Sequence, residues 1–164
     1  MAAGLAEAPA SWAGAAMDVN DVLAQAWHPN LDAEPAMTLA YWCVLIAILL
    51  PYLGTASAKF LGAGYGPHAN QDPRAFLGTL EGWRKRANNA QLNGFEVTPA
   101  FAAAVIIAHL AGGAEQALLD RLAVAFIVSR LLYFICYLAN WGPVRSLVWF
   151  VGLGLIIALF VVAA

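Results

Sequence analysis

The residues best suited to chemistry lie in one run, 83–101, which reads W-R-K-R-A-N-N-A-Q-L-N-G-F-E-V-T-P-A-F. An α-helix turns by about 100° per residue, so Arg86, Asn89, Asn93 and Glu96 fall within an arc of roughly 80°. Ala90 completes that face, and Gln91 points away from it. A cation, two amides and a carboxylate thus share one stripe where apolar sequence begins. A carboxylate close to a bilayer is costly without a partner, which makes Glu96 the pivotal residue. Mixed polar types on one face suit either a ligand site or a network tying helices together, and the spacing does not choose between them. Arg84 and Lys85 read as a solvated basic cluster at a helix end. Gly94 would let another backbone approach closely, and a kink is expected at Pro99.

A second set follows downstream. Arg130, Tyr133, Tyr137 and Asn140 recur at helical spacing and share a face. An arginine inside an apolar span should point into the bundle or a subunit interface rather than lipid. An interfacial aromatic belt accounts well for Trp141 and Trp149, but Tyr133 lies too deep for it. Arg145 stands just beyond, near enough to water to stay charged. His109 reads as a hydrogen-bonded packing residue, and His68 as part of the turn chemistry of the loop H-A-N-Q-D-P-R. The three histidines are well separated and show no Cys–His spacing, so no metal site is expected. No phosphate-binding loop or serine-nucleophile motif appears.

The elements that must carry these residues are apolar. In 164 residues, 62% are hydrophobic and only 11% charged, too little charge to cover a soluble fold of this size. Apolar stretches run from about Met37 to Gly62, Val97 to Gly113, Leu122 to Trp141 and Val144 to Ala164. A helix needs roughly 20 such residues to cross the hydrocarbon core, so the second must begin earlier, before Glu96. Backbone groups cannot go unpaired in lipid, which makes all four stretches helices. The chain therefore reads as an all-α membrane protein, a four-transmembrane-helix bundle.

Lys59, Arg74, Arg84, Lys85 and Arg86 lie between spans one and two, and Arg145 in the turn between spans three and four. The positive-inside rule places both connections in the cytoplasm and both termini on the non-cytoplasmic side. The acidic segment 1–36 and the turn with Glu115 and Asp120 then lie outside. Residues 1–36 form an N-terminal extension to the domain at 37–164. The extension lacks a signal-peptide pattern, Asp18 to Trp27 could form a short surface helix, and Met17 and Met37 are alternative starts. The net charge of -2 does not suggest nucleic acid. Cys43 and Cys136 read as small core residues, a disulfide between membrane helices being unusual.

The run R-A-x-x-A-Q-x-N-x-x-E-x-x-P-x-F at 86–101 resembles the signature of the MAPEG family, membrane-associated proteins in eicosanoid and glutathione metabolism. The pattern R-x-x-Y-x-x-x-Y-x-x-x-x-x-x-x-R at 130–145 is similar to that family's second block. The loop N-Q-D-P-R-A-F-L-x-x-L-E-G-W at 70–83 resembles the bacterial branch, which implies a bacterial inner membrane. The resemblance covers roughly 37–164.

It implies a homotrimer with glutathione as co-substrate, bound near the cytoplasmic side between neighbouring subunits. Arg86, Gln91, Asn93, Glu96, Tyr133 and Tyr137 match family positions at the glutathione site, with Gln91 reaching in from a neighbour. Arg145 matches the arginine that favours the thiolate, the catalytic role. Asn89 and Val97 depart from the family pattern, which often has an arginine and an aromatic there; Lys59 would partly replace the missing charge. The expected function is a membrane-bound glutathione transferase or peroxidase-like protein acting on lipophilic electrophiles. The alternative is a non-catalytic membrane scaffold or accessory subunit of a larger membrane complex.

Overall fold

The computed structural model describes residues 37–164. The extension at 1–36, with the helix expected at Asp18 to Trp27, lies outside the described residues. Four long helices, α1 (Leu39–Phe60), α4 (Gly82–Ala111), α5 (Gln116–Leu138) and α6 (Gly142–Ala163), are long and apolar enough to cross a membrane. Two short ones, α2 (Pro67–Gln71) and α3 (Pro73–Gly78), lie in the connection between α1 and α4.

Each helix starts and stops for a local reason. Thr38 caps α1, its hydroxyl accepting from the Tyr41 amide at 3.4 Å. The two short helices each open on a proline, whose fixed φ suits a first turn. Asp72 caps α3 through the Ala75 amide at 3.0 Å. Tyr65 donates to Asn70 at 2.8 Å in the same loop, so the turn chemistry expected of His68 falls to these residues instead. Helix α4 begins well before Glu96, as the shortness of its apolar stretch requires, and runs unbroken through Pro99 to Gly112 in the left-handed region (φ 69).

Helix α5 starts before its apolar stretch because Gln116 and Asp120 occupy its first turns at the bundle's end. It stops at Leu138 because Asn140 takes a positive φ of 62. Asn140 is therefore an exposed turn residue and does not share the helical face of Tyr133 and Tyr137.

The chain runs up and down, so the connections fall at two ends. Helix α1 packs mainly on α4 and α5 on α6, with α1 also touching α5 and α4 touching both α5 and α6. At the loop end, Ala58, Leu80, Ala87 and Leu138 pack under α3. At the opposite end, Asp120 of α5 accepts from the Ala40 amide at 2.8 Å and so caps α1 from another helix.

Toward that opposite end lies the main core, centred on Phe101 and Phe126, whose rings stack at 3.9 Å. Much of the remainder is small: Ala40, Cys43, Ala47, Ala104, Ala108 and Ala123 are buried. In lipid, apolar burial gives little drive, and close van der Waals packing of small residues holds helices together. Cys43 and Cys136 are free and buried, in keeping with their reading as core residues. Leu45, Ile48, Leu49, Ile107, Leu147 and Phe150 are among the large apolar side chains left exposed, as a bilayer or another subunit would favour.

Helices α1 and α4 approach closely at two glycines. A Cβ on Gly54 would lie 2.7 Å from the Ala87 carbonyl, and one on Gly94 would lie 2.8 Å from Pro51 Cγ. At Gly94 the neighbour is a proline ring, and the close backbone approach falls at Gly54 instead.

Candidate functional site

On α5, Tyr133 and Tyr137 stand one turn apart and meet edge to face at 5.4 Å. A cation flanks each. The Arg130 guanidinium lies 4.9 Å from the centre of the Tyr133 ring, and that of Arg145 lies 4.5 Å from Tyr137. The result is a ladder of cation, ring, ring, cation. Its order follows from the sequence spacing, because one turn separates successive members on α5 and the tight turn at 139–141 returns Arg145 to the same side.

Arg145 sits in the first turn of α6, where unpaired backbone N–H groups add positive potential. Tyr133, Tyr137 and Arg145 line a single cavity of about 310 Å³, with Ser146, Trp149 and Phe150 completing it. Among the described residues no hydrogen bond or ion pair holds the Arg145 guanidinium, which rests on an aromatic face. A half-buried, unpaired cation beside two phenols can bind an anion and hold it desolvated. Ser146 and Phe150 escaped sequence reading, and Trp149, read there as part of an interfacial aromatic belt, also lines the cavity. The signal was present for Trp149, one turn after Arg145.

Arg130 is buried, at 7% exposure, as an arginine within a span should be. Its Nη2 donates to the Val148 carbonyl on α6 at 3.3 Å, past Gly152. A Cβ on Gly152 would collide with the guanidinium, lying 2.9 Å from its Cζ, so the glycine makes this crossing available.

The stripe on α4 is divided. Arg86 directs Nε and Nη2 to the Leu138 carbonyl at 3.3 and 3.0 Å, binding the end of α5. Asn93 donates to Glu96 at 3.3 Å, and Glu96 is exposed. Gln91 lines a cavity between α1, α4 and α5 and also one with Arg74 and Asn88. Lys59 stands over the Tyr65 ring at 4.9 Å. Tyr133, Tyr137 and Arg145 thus come together, whereas Lys59, Arg86, Gln91, Asn93 and Glu96 do not line their cavity.

Two other residues behave differently from each other against their sequence reading. Arg84 does more than sit in solvent: it donates to the Ala58 and Ala63 carbonyls at 2.7 and 2.8 Å, closing the end of α1. His109 is a packing residue, as expected. It stacks on Tyr41 at 4.2 Å, with Nδ1 at 2.8 Å from the Val105 carbonyl and Nε2 at 3.0 Å from the Thr38 hydroxyl. The carbonyl can only accept, so Nδ1 carries the hydrogen and Nε2 receives that of Thr38. No group of residues able to hold a metal ion occurs among the described residues.

The sequence profile of the MAPEG family matches residues 39–164. Neither the curated proteins nor the solved structures contain a match to the chain.

Proposed function

The chain belongs to the MAPEG family, and on that premise we propose that it is a membrane glutathione transferase or peroxidase-like enzyme acting on lipophilic electrophiles. The observation that carries this reading is the cavity in which an otherwise unpaired Arg145 faces Tyr133 and Tyr137. A free thiol has a pKa of about 8.5, so little of it is ionised at neutral pH. A cation beside the sulfur favours the thiolate, and a tenfold change in the ionisation equilibrium corresponds to about 1.4 kcal/mol. Arg145 supplies that cation, aided by the amino-terminal turn of α6.

The remaining glutathione contacts come across a subunit boundary. Glu96, exposed beside Asn93, pairs the glutathione amino group, and Arg86 or Lys59 takes a carboxylate, with Gln91 contributing from a neighbour. A homotrimer in a bacterial inner membrane accommodates this, its loop end and cationic side chains facing the cytoplasm. The thiolate then attacks an electrophilic carbon, forming a C–S bond as the leaving group departs with its electron pair. With a hydroperoxide it attacks the terminal oxygen, releasing the alcohol and leaving a sulfenic acid. A second glutathione converts this to the disulfide and water. Such substrates partition into the bilayer, which gives a membrane location its purpose.

A second reading is favoured by one specific observation. Arg84 and Arg86 each direct part of the guanidinium to helix-end carbonyls, and Asn89 and Val97 stand where relatives often carry an arginine and an aromatic. A scaffold or accessory subunit would need no more than this. Thiolate absorbance on adding glutathione separates the two. The enzyme should show it, and Arg145→Ala should abolish it; a signal that survives Arg145→Ala removes this residue from the mechanism.

A further inference from the structure

We infer that the bundle holds a bound water molecule behind Tyr133, pairing the buried guanidinium of Arg130 with the side-chain amide of Gln91. Both residues line one cavity of about 30 Å³, walled on its apolar side by Leu50, Pro51 and Phe134. That exceeds the roughly 10–15 Å³ that a single water requires.

The polar demand is specific. Arg130 uses Nε on Ser129 at 3.4 Å and Nη2 on Val148 at 3.3 Å, while Nη1 is buried and unpartnered. Gln91 Oε1 is likewise buried and unpartnered. One atom must donate and the other must accept. Guanidinium does not lose its proton in a protein, and leaving it half-solvated in an apolar interior is costly. Among the described residues no carboxylate pairs with it. The nearby hydroxyl of Thr98 is already directed at the carbonyls of Ala47 and Gly94, at 3.1 and 2.8 Å.

Water satisfies both atoms at once, accepting from Nη1 and donating to Oε1. An anion would suit Arg130 and be repelled by the amide oxygen. Tyr133 lines this cavity and also the one that holds Arg145, so the water sits on the hidden side of the candidate site's wall. The inference does not depend on glutathione binding.

The test is a density map of the detergent-purified full chain at a resolution that resolves ordered water. A peak within hydrogen-bond distance of both Arg130 Nη1 and Gln91 Oε1 is expected, and it should vanish in Gln91→Leu. A cavity without a peak, Nη1 turned to a protein or lipid acceptor, or a peak that exchanges for bromide would each overturn the inference. Thermal unfolding gives a second reading. Gln91→Leu should lower the melting midpoint of the wild type and leave that of Arg130→Met nearly unchanged; equal losses in both backgrounds would contradict a shared water.

Discussion

Thr98 on α4 directs its hydroxyl to the Ala47 carbonyl on α1, 3.1 Å away. Ala47 is the residue whose carbonyl would accept from position 51, and position 51 is proline, with no N–H to give. The threonine of one helix, sharing its single hydrogen with the Gly94 carbonyl at 2.8 Å, therefore partly replaces the backbone bond that a proline removes from another. Thr98→Val keeps the shape and removes the donor, so it should cost about 1–3 kcal/mol. Thr98→Ser should cost much less. In a Pro51→Ala background the restored amide serves Ala47, and the penalty of Thr98→Val should shrink. Thermal unfolding of the four combinations in detergent measures this coupling, and additive losses would exclude it.

Gly152 and Gly154 lie on the same helix and should respond oppositely to alanine. At Gly152 the new Cβ would press on Arg130 and lie 3.2 Å from Ser129 Oγ, whereas at Gly154 nothing lies within 4 Å. Overpacking of this kind costs about 1–3 kcal/mol. Replacing an unhindered helical glycine gains roughly 0.5–1 kcal/mol. The melting midpoint should fall for Gly152→Ala and hold or rise for Gly154→Ala.

Asp120 caps α1 across the bundle and also accepts from Gln116 at 2.8 Å. Asp120→Ala removes an amino-terminal cap, a loss of about 0.5–2 kcal/mol. Hydrogen exchange should quicken selectively at the Ala40 amide and the first turn of α1. Asp120→Asn, which keeps an acceptor, should protect that amide better than alanine does.

The four spans were legible because an apolar stretch of membrane length has few alternatives to a helix. The association of Tyr133 and Tyr137 was legible too, since one-turn spacing on a single helix fixes a shared face whatever surrounds it. Asn140 broke that pattern because it belongs to the turn, and a residue in a left-handed conformation leaves the helical face. Arg84 and Arg86 were harder. Their acceptors are backbone carbonyls at the ends of α1 and α5, identifiable only once the helices are placed side by side. The same holds for Thr98, whose partner is exposed by a proline far away in sequence. Nothing in the spacing of Gln91 said that it would line a cavity together with Arg130 of α5.

Glutathione titration of the detergent-purified protein by calorimetry tests the central assignment most directly, with wild type and Arg145→Ala compared side by side. Saturable micromolar binding by the wild type, weakened at least tenfold in the variant, is expected if the cavity of Tyr133, Tyr137 and Arg145 receives the thiolate; such a loss corresponds to about 1.4 kcal/mol. Binding no tighter than millimolar, or the same affinity in both proteins, would contradict it.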